Sequence, residues 1–290
     1  MKKYALVIVA LILLPRFLVA QDRPSQQIRR ITVTNKYEIV DGKRTSKFRA
    51  IGQQFYDSLG NMHTTTNLNY ETGEIESYTW NTYKDGKLMK TVAFLADKFQ
   101  SKKTYTYNSN MQVDQEFVHN VVNADTVVVR ISKYEYTNNG KPSRIIVTDS
   151  KGKKLCTQTF TYDIKGQEVK RKVKAVKGFV TSDSIMELKN TPKYDSLGRL
   201  ESERLLVKYF GGKQENKIYT YTYNPKGQNI KKVESDFNGN TTLIYTYRYN
   251  NSGRIIEQNK LNAKEQYIES LAFRYEIYRT ADLRYREIEY

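Results

Sequence analysis

Glu201 and Glu203 stand two residues apart. Paired carboxylates could cleave a glycosidic bond, one protonating the leaving oxygen and the other attacking the sugar or activating water. Successive side chains of a strand alternate between its faces, so an i, i+2 pair is also what any solvated strand face produces. His63 and His119 lie in different stretches, with no Cys, Asp or Glu spacing that would make a metal site. They read as exposed polar positions on strands. Cys156, the only cysteine, shares the alternation of Phe160 and Tyr162 and reads as a small core residue rather than a nucleophile. A lone cysteine leaves no intramolecular disulfide. Nucleophile elbow, zinc-protease helix, phosphate loop and dinucleotide fingerprint are all missing. The chain is expected to be no enzyme and to need neither cofactor nor metal.

Binding candidates remain. Trp80, the only tryptophan, falls on the parity opposite to Ile75 and Tyr83. A ring on the less apolar face could stack on a sugar, and the alternative is packing under a neighbouring loop. The densest basic run holds Lys170, Arg171, Lys172 and Lys174, interleaved with Val169, Val173 and Val176. That is strand alternation with lysines outward, not a compact basic arm. The formal charge of +17 admits anionic glycan, anionic lipid or nucleic acid as partner. With the basic residues spread along strands, the expected partner is a glycan, a cell-envelope component or another protein rather than nucleic acid.

The elements that carry these residues are written as a repeat. Tyr, then Asp or Asn, two residues, and Gly recurs as Tyr56-Asp57-Ser-Leu-Gly60, Tyr162-Asp163-Ile-Lys-Gly166 and Tyr194-Asp195-Ser-Leu-Gly198. It returns as Tyr223-Asn224-Pro-Lys-Gly227 and Tyr249-Asn250-Asn-Ser-Gly253, with looser copies at Tyr83, Tyr107 and Tyr136. From Tyr56 the steps between these tyrosines are 27, 24, 29, 26, 32, 29 and 26 residues. Asp or Asn starts a turn by bonding its side chain to nearby backbone, and Gly supplies the positive φ that closes it. A second turn falls between phrases, as at Asp149–Gly152 and Asp236–Gly239, so each unit of about 27 residues holds two strands. The 24 tyrosines, against 11 phenylalanines, suit a pleated, half-buried surface. The expected fold is all-β: an antiparallel meander of hairpins with about 16 strands. Such a sheet would be about 75 Å wide at roughly 4.8 Å per strand, and wide open sheets curl or split, so a curled or two-layered sheet is expected.

With four loop residues between Tyr223 and Gln228, Tyr221 should oppose Ile230, Phe160 should oppose Val169, and Tyr247 should oppose Ile256. The tyrosine face should then be the packed one, with Thr, Lys and Glu toward water.

Tyr194-Asp195-Ser196-Leu197-Gly198-Arg199-Leu200 resembles the core of the tyrosine–aspartate (YD) repeat of the RHS family, and the other phrases resemble relaxed copies over most of residues 50–275. The resemblance implies strips of β-hairpins. In large members these curl into hollow shells around a toxin. This chain is too short for a closed shell and has no toxin-like tail, so that role is not implied. The likeness is to short exported proteins of Bacteroides-type bacteria. Asp57-Ser58-Leu59, Asp125-Thr126-Val127, Asp183-Ser184-Ile185 and Asp195-Ser196-Leu197 resemble the O-glycosylation acceptor pattern of such proteins.

Residues 1–20 read as a signal peptide, with Lys2 and Lys3 before the apolar run Ala5–Leu14 and Leu18-Val19-Ala20 at the cleavage site. Its removal takes away Lys2, Lys3 and Arg16 and no acid, leaving a charge of +14. The only cysteine, Cys156, lies far from this segment, so a lipoprotein is not expected. The destination is the periplasm, the outer-membrane surface or the medium, with no transmembrane helix after cleavage. Residues 21–55, with a turn at Asp41-Gly42, should form an N-terminal capping hairpin. Residues 56–266 should hold the repeats, and 267–290 a capping strand. The reading is an exported, non-enzymatic β-repeat protein that binds or supports something at the envelope. The alternative is an outer-membrane β-barrel, to which alternation and the terminal aromatic Tyr290 both point, and against which mid-strand Lys172 and Lys232 count.

Overall fold

The computed structural model describes residues 28–122, 125–181, 183–278 and 286–289. The expected signal peptide and Tyr290 lie outside them. The elements are all strands: β1 (Ile28–Val40), β2 (Lys43–Asp57), β3 (Met62–Leu68), β4 (Ile75–Lys84), β5 (Lys87–Leu95) and β6 (Lys98–Tyr107). β7 (Val113–Val122), β8 (Asp125–Tyr136), β9 (Pro142–Asp149), β10 (Lys154–Tyr162), β11 (Glu168–Ala175) and β12 (Ile185–Tyr194) follow. Then come β13 (Leu200–Tyr209), β14 (Gln214–Tyr223), β15 (Asn229–Ser235), β16 (Thr241–Tyr249), β17 (Ile255–Asn262), β18 (Tyr267–Tyr278) and the short β19 (Arg286–Glu289).

Each strand from β1 to β18 pairs antiparallel with the next, and β1 also pairs with β18 through Arg30↔Ile277 to Lys36↔Leu271. The sheet therefore closes into an 18-stranded barrel. β19 adds to β18 opposite Tyr275–Tyr278. The expected all-β hairpin meander is the fold, and the expected curl of the sheet runs to a closed ring. The two terminal segments supply the strands that meet. A round ring of this many strands at roughly 4.8 Å each is about 86 Å around and about 27 Å across before strand tilt widens it. Among the described residues, backbone contacts join ring neighbours, plus a small contact between β18 and β2. The buried cluster Val147, Cys156 and Val173 lies on the adjacent strands β9, β10 and β11, so burial is local to the wall.

The turns explain the repeat phrase. In Tyr194-Asp195-Ser-Leu-Gly198-Arg199, the Asp195 N–H donates to Arg199 O at 2.9 Å and the Gly198 N–H to Asp195 O at 2.9 Å. The Asp195 carboxylate accepts the N–H groups of Leu197 and Arg199 at 3.0 and 2.8 Å. Gly198 sits at φ 77°, where a β-carbon would be strained. Asp57, Asp163, Asn224 and Asn250 cap their turns in the same way, before Gly60, Gly166, Gly227 and Gly253. The intervening turns at Asp149 and Asp236 use the same geometry, and are more uniform than their sequences suggest.

The expected register is corrected by two residues. Tyr221 opposes Lys232 rather than Ile230, Phe160 opposes Arg171 rather than Val169, and Tyr247 opposes Gln258 rather than Ile256. One residue comes from the loop, because Tyr223 faces Asn229 instead of Gln228. The other comes from a β-bulge between Thr222 and Tyr223, repeated at each phrase tyrosine. A shift of two keeps every side chain on its expected face and changes its partner from branched to polar or charged. The tyrosine face accordingly carries Glu203, Lys217, Lys232 and Glu234 among its rings, which the alternation alone had placed in water.

Candidate functional site

On the tyrosine face the polar groups are spent on one another. Each phrase tyrosine reaches back one hairpin to the carbonyl of the residue that the bulge sets opposite the preceding tyrosine. Tyr83 bonds Met62 O, Tyr107 Leu88 O, Tyr136 Val113 O and Tyr162 Pro142 O, at 2.7–3.1 Å. Tyr223 bonds Leu200 O, Tyr249 Asn229 O and Tyr275 Ile255 O, at 2.7–2.9 Å. The break falls at the longest step, 32 residues, where Tyr194 instead bonds the Asp163 carboxylate at 2.6 Å. Cations from the turns cover the same rings: Arg199 lies 4.7 Å from the Tyr223 ring centre, Arg254 5.3 Å from Tyr275, and Lys165 4.3 Å from Tyr194.

Between these nodes, Lys232 sits 4.9 and 4.4 Å from the rings of Tyr219 and Tyr245, and Lys217 pairs with Glu234 at 3.0 Å. Glu203 accepts from the Tyr221 hydroxyl and from Asn190 Nδ2. Burial and the Glu234 charge push Tyr219 up to about 12, and burial with the Glu203 bond raises Tyr221 further. Glu201, meanwhile, pairs with exposed Lys193 at 3.1 Å. The two glutamates therefore serve different partners and do not converge on one site.

His63 is enclosed rather than exposed, and His119 is half-buried. His63 is buried 3.7 Å from Asp57, and His119 meets Thr104 at 3.0 Å. Cys156 is 1% exposed, and burial raises its thiol pKa. Trp80 does not stand alone: Tyr78 and Phe94 lie 5.3 and 5.1 Å away, and Tyr78 stacks on Phe94 at 4.7 Å. Asp97 of the β5–β6 turn bonds the Tyr78 hydroxyl, so this ring belongs to a packed cluster beneath a loop.

The structure divides the basic run of β11. Arg171 lies on the tyrosine face, 3.0 Å from Glu168 and 2.6 Å from Asp183. Lys170, Lys172 and Lys174 share the opposite face, opposite Thr161, Thr159 and Thr157 of β10. On the other side, Lys170 opposes Lys189 and Lys172 opposes Glu187 of β12. Burial pushes the Glu187 carboxyl up. A hydrogen bond from Lys208, with the charges of Lys189, Lys208 and Lys172, outweighs burial and holds it low. Lys189 and Lys193 were not singled out by sequence, since only the strand register brings Lys189 beside Lys170.

The four Asp-Ser/Thr-aliphatic phrases occupy unlike settings. Asp57 and Asp195 are turn caps with exposed Ser58 and Ser196, and Asp183 is paired with Arg171. Thr126 is exposed on β8, and the side chain of Asp125 lies outside the described residues.

No family model matches the chain, and no curated protein matches its sequence. Solved structures do resemble it. A porin-like protein from Bacteroides uniformis matches over 88% of this chain and 99% of its own, with 12% identity and a TM-score of 0.42. A porin-like protein from Bacteroides vulgatus matches over 86% and 98%, with 10% identity and a TM-score of 0.32. TcdB2-TccC3-Cdc42 matches over 85% of this chain, which spans 16% of that one, with 14% identity and a TM-score of 0.34. At these values the likenesses say nothing of function.

Proposed function

We propose that this chain is an exported, non-enzymatic β-barrel of the RHS-repeat type that acts as a binding or structural module at the cell envelope. The repeated Tyr-Asp/Asn-x-x-Gly turns, each tied to the next by a tyrosine hydroxyl, support the family reading. The contrast between the two faces of β10–β12 carries the functional one. Carboxylates and phenols on the tyrosine face are engaged internally, whereas Lys172 and Lys174 are exposed beside a row of threonines. Such a face meets water or a charged partner. The test is fractionation of the host cell followed by binding of the purified protein to envelope preparations and a glycan array. Binding to an envelope component is the expected result, and two blank assays reject the reading.

The closed, even-numbered ring favours a second reading, an outer-membrane barrel. No helix among the described residues is long and apolar enough to cross a membrane, and in this reading the strands would cross it. Lys172 points to one face and Lys232 to the other. Whichever face met lipid would thus carry mid-strand lysines, at about 2–4 kcal/mol each near the bilayer midplane. A purified protein that stays monodisperse without detergent excludes this reading, and one that requires detergent excludes the first.

A further inference from the structure

We propose that the lysine face of β11 and β12 is a binding track for an acidic polysaccharide. The inference rests on the binding-module reading and names its partner and its strands. Lys174, Lys172 and Lys170 run along β11, and Lys189 and Lys193 continue the line along β12, because Lys170 and Lys189 stand directly opposite each other. At roughly 3.3 Å per residue the line is about 27 Å long. Its acid on those two strands is Glu187, which Lys208 engages from β13 at 3.3 Å. Among the described residues Lys170, Lys172 and Lys174 make no salt bridge, although Lys172 stands opposite Glu187, while Lys189 pairs with Glu187 at 3.9 Å and Lys193 with Glu201 at 3.1 Å. Side by side, Lys170 and Lys189 repel, and an anion lying across the two strands reverses the sign of that interaction.

The shape of the face selects the kind of anion. A run of evenly spaced charges on a pleated wall fits an extended polymer rather than a compact ligand. The neighbouring positions on this face are Thr157, Thr159, Thr161 and Thr191, whose hydroxyls match those of sugars. Phe160 and Tyr162, the aromatic residues of β10, lie on the other face. Single-stranded nucleic acid is held by stacking its bases on aromatic rings, which this track does not offer, and no element projects to enter a duplex groove.

The test compares the purified protein with a K170Q/K172Q/K174Q/K189Q variant and with a K226Q/K264Q control in exposed turns. Fluorescent polygalacturonate is the probe, with dextran, poly(dT) and anionic vesicles alongside. The expected result is salt-sensitive polygalacturonate binding that the quadruple variant weakens at least tenfold, that the control leaves unchanged, and that the matching lysine-to-arginine variant retains. Circular dichroism melting of each variant separates lost binding from lost fold. Unchanged binding by a folded quadruple variant overturns the proposal, as does tighter binding of poly(dT) or vesicles than of polygalacturonate. If the parent protein binds envelope preparations and the quadruple variant does so equally, the track is wrong and the module reading stands. If the parent binds neither, both fall.

Discussion

The repeat arc and the closing seam of this barrel join neighbouring strands by different means. Along the arc each hairpin except the one at Tyr194 is joined to the last by the same device, a phenol donating to a carbonyl at a bulge. At the seam, where residues more than 200 positions apart must pair, that device gives way to a buried polar network. Arg44 of β2 lies 2.8 Å from Glu257 of β17 and donates to Ser270 of β18 at 3.3 Å. Asn259 donates to Glu257 at 2.9 Å and accepts from Ser270 at 2.6 Å, while Arg248 of β16 pairs with Glu257 at 2.8 Å. Ser270 is 0% exposed. Further along the seam Ile31 and Val33 of β1 are buried opposite Glu276 and Arg274, and at its other end the Tyr267 N–H donates to Gly42 O at 2.8 Å. A repeated device can be weak because a slip in one hairpin is opposed by the next. The seam occurs once, and a directional network penalises every register but one.

If that is so, the seam should be the place where one substitution does the most harm. Glu257→Ala is expected to cost about 2–3 kcal/mol, at or below the usual range for a broken buried pair, since Arg44 and Arg248 retain some access to water. Urea unfolding measures it. A cost below that of a single tyrosine staple would show that closure does not depend on the network.

Acid should act at the same point. Burial raises the Glu257 carboxyl, but bonds from Asn259 and Arg44 and the charges of Arg44 and Arg248 hold its folded pKa below the ordinary carboxylate value. The group therefore stabilises the fold fully above its unfolded pKa, and that contribution is lost as pH falls through the folded one. Unfolding curves taken from pH 6 downward should show the Glu257→Gln variant losing less stability than the parent. Parallel curves would remove Glu257 from the account.

The arc calls for a smaller and more even effect. Tyr107→Phe, Tyr223→Phe and Tyr249→Phe each delete one hydroxyl donor and leave a ring in place. About 1 kcal/mol is expected for each, similar among the three, as for a single neutral hydrogen bond. Tyr194→Phe should cost more than these, because its acceptor is the Asp163 carboxylate rather than a carbonyl. Equal losses at all four would show that the anomalous unit is anomalous in spacing alone.

These contrasts also mark what the sequence could convey. Turn phrases are local, so Asp195 and Gly198 announce the loop that they build. Alternation is local too, and Tyr219, Tyr221 and Tyr223 lie on one face as their spacing requires. Register is not local: it depends on how many residues a loop and its bulge consume, and the two together displaced Tyr221 from Ile230 to Lys232. Closure is less visible still, because Arg30 and Ile277 pair across almost the whole chain with no shared motif. The lysine track inherits this limit. Lys170 and Lys172 can be seen in the sequence as strand lysines, but Lys189 joins them only once β11 and β12 are aligned.

The smallest effect tests the arc where it departs from its own economy. Lys170 faces Lys189, whose ammonium reaches Glu187 at 3.9 Å on its own strand, and opposed like charges in a sheet cost about 0.2–1 kcal/mol. Lys170→Gln should therefore leave the free protein equally stable or more stable by about 0.5 kcal/mol, more visibly at low salt, where screening is weak. A staple residue behaves oppositely, losing stability on substitution. Thermal melts at low and high salt distinguish the two. A clear loss of stability in Lys170→Gln would mean that this lysine holds the wall together, and that its place on the exposed face reflects packing rather than an absent anion.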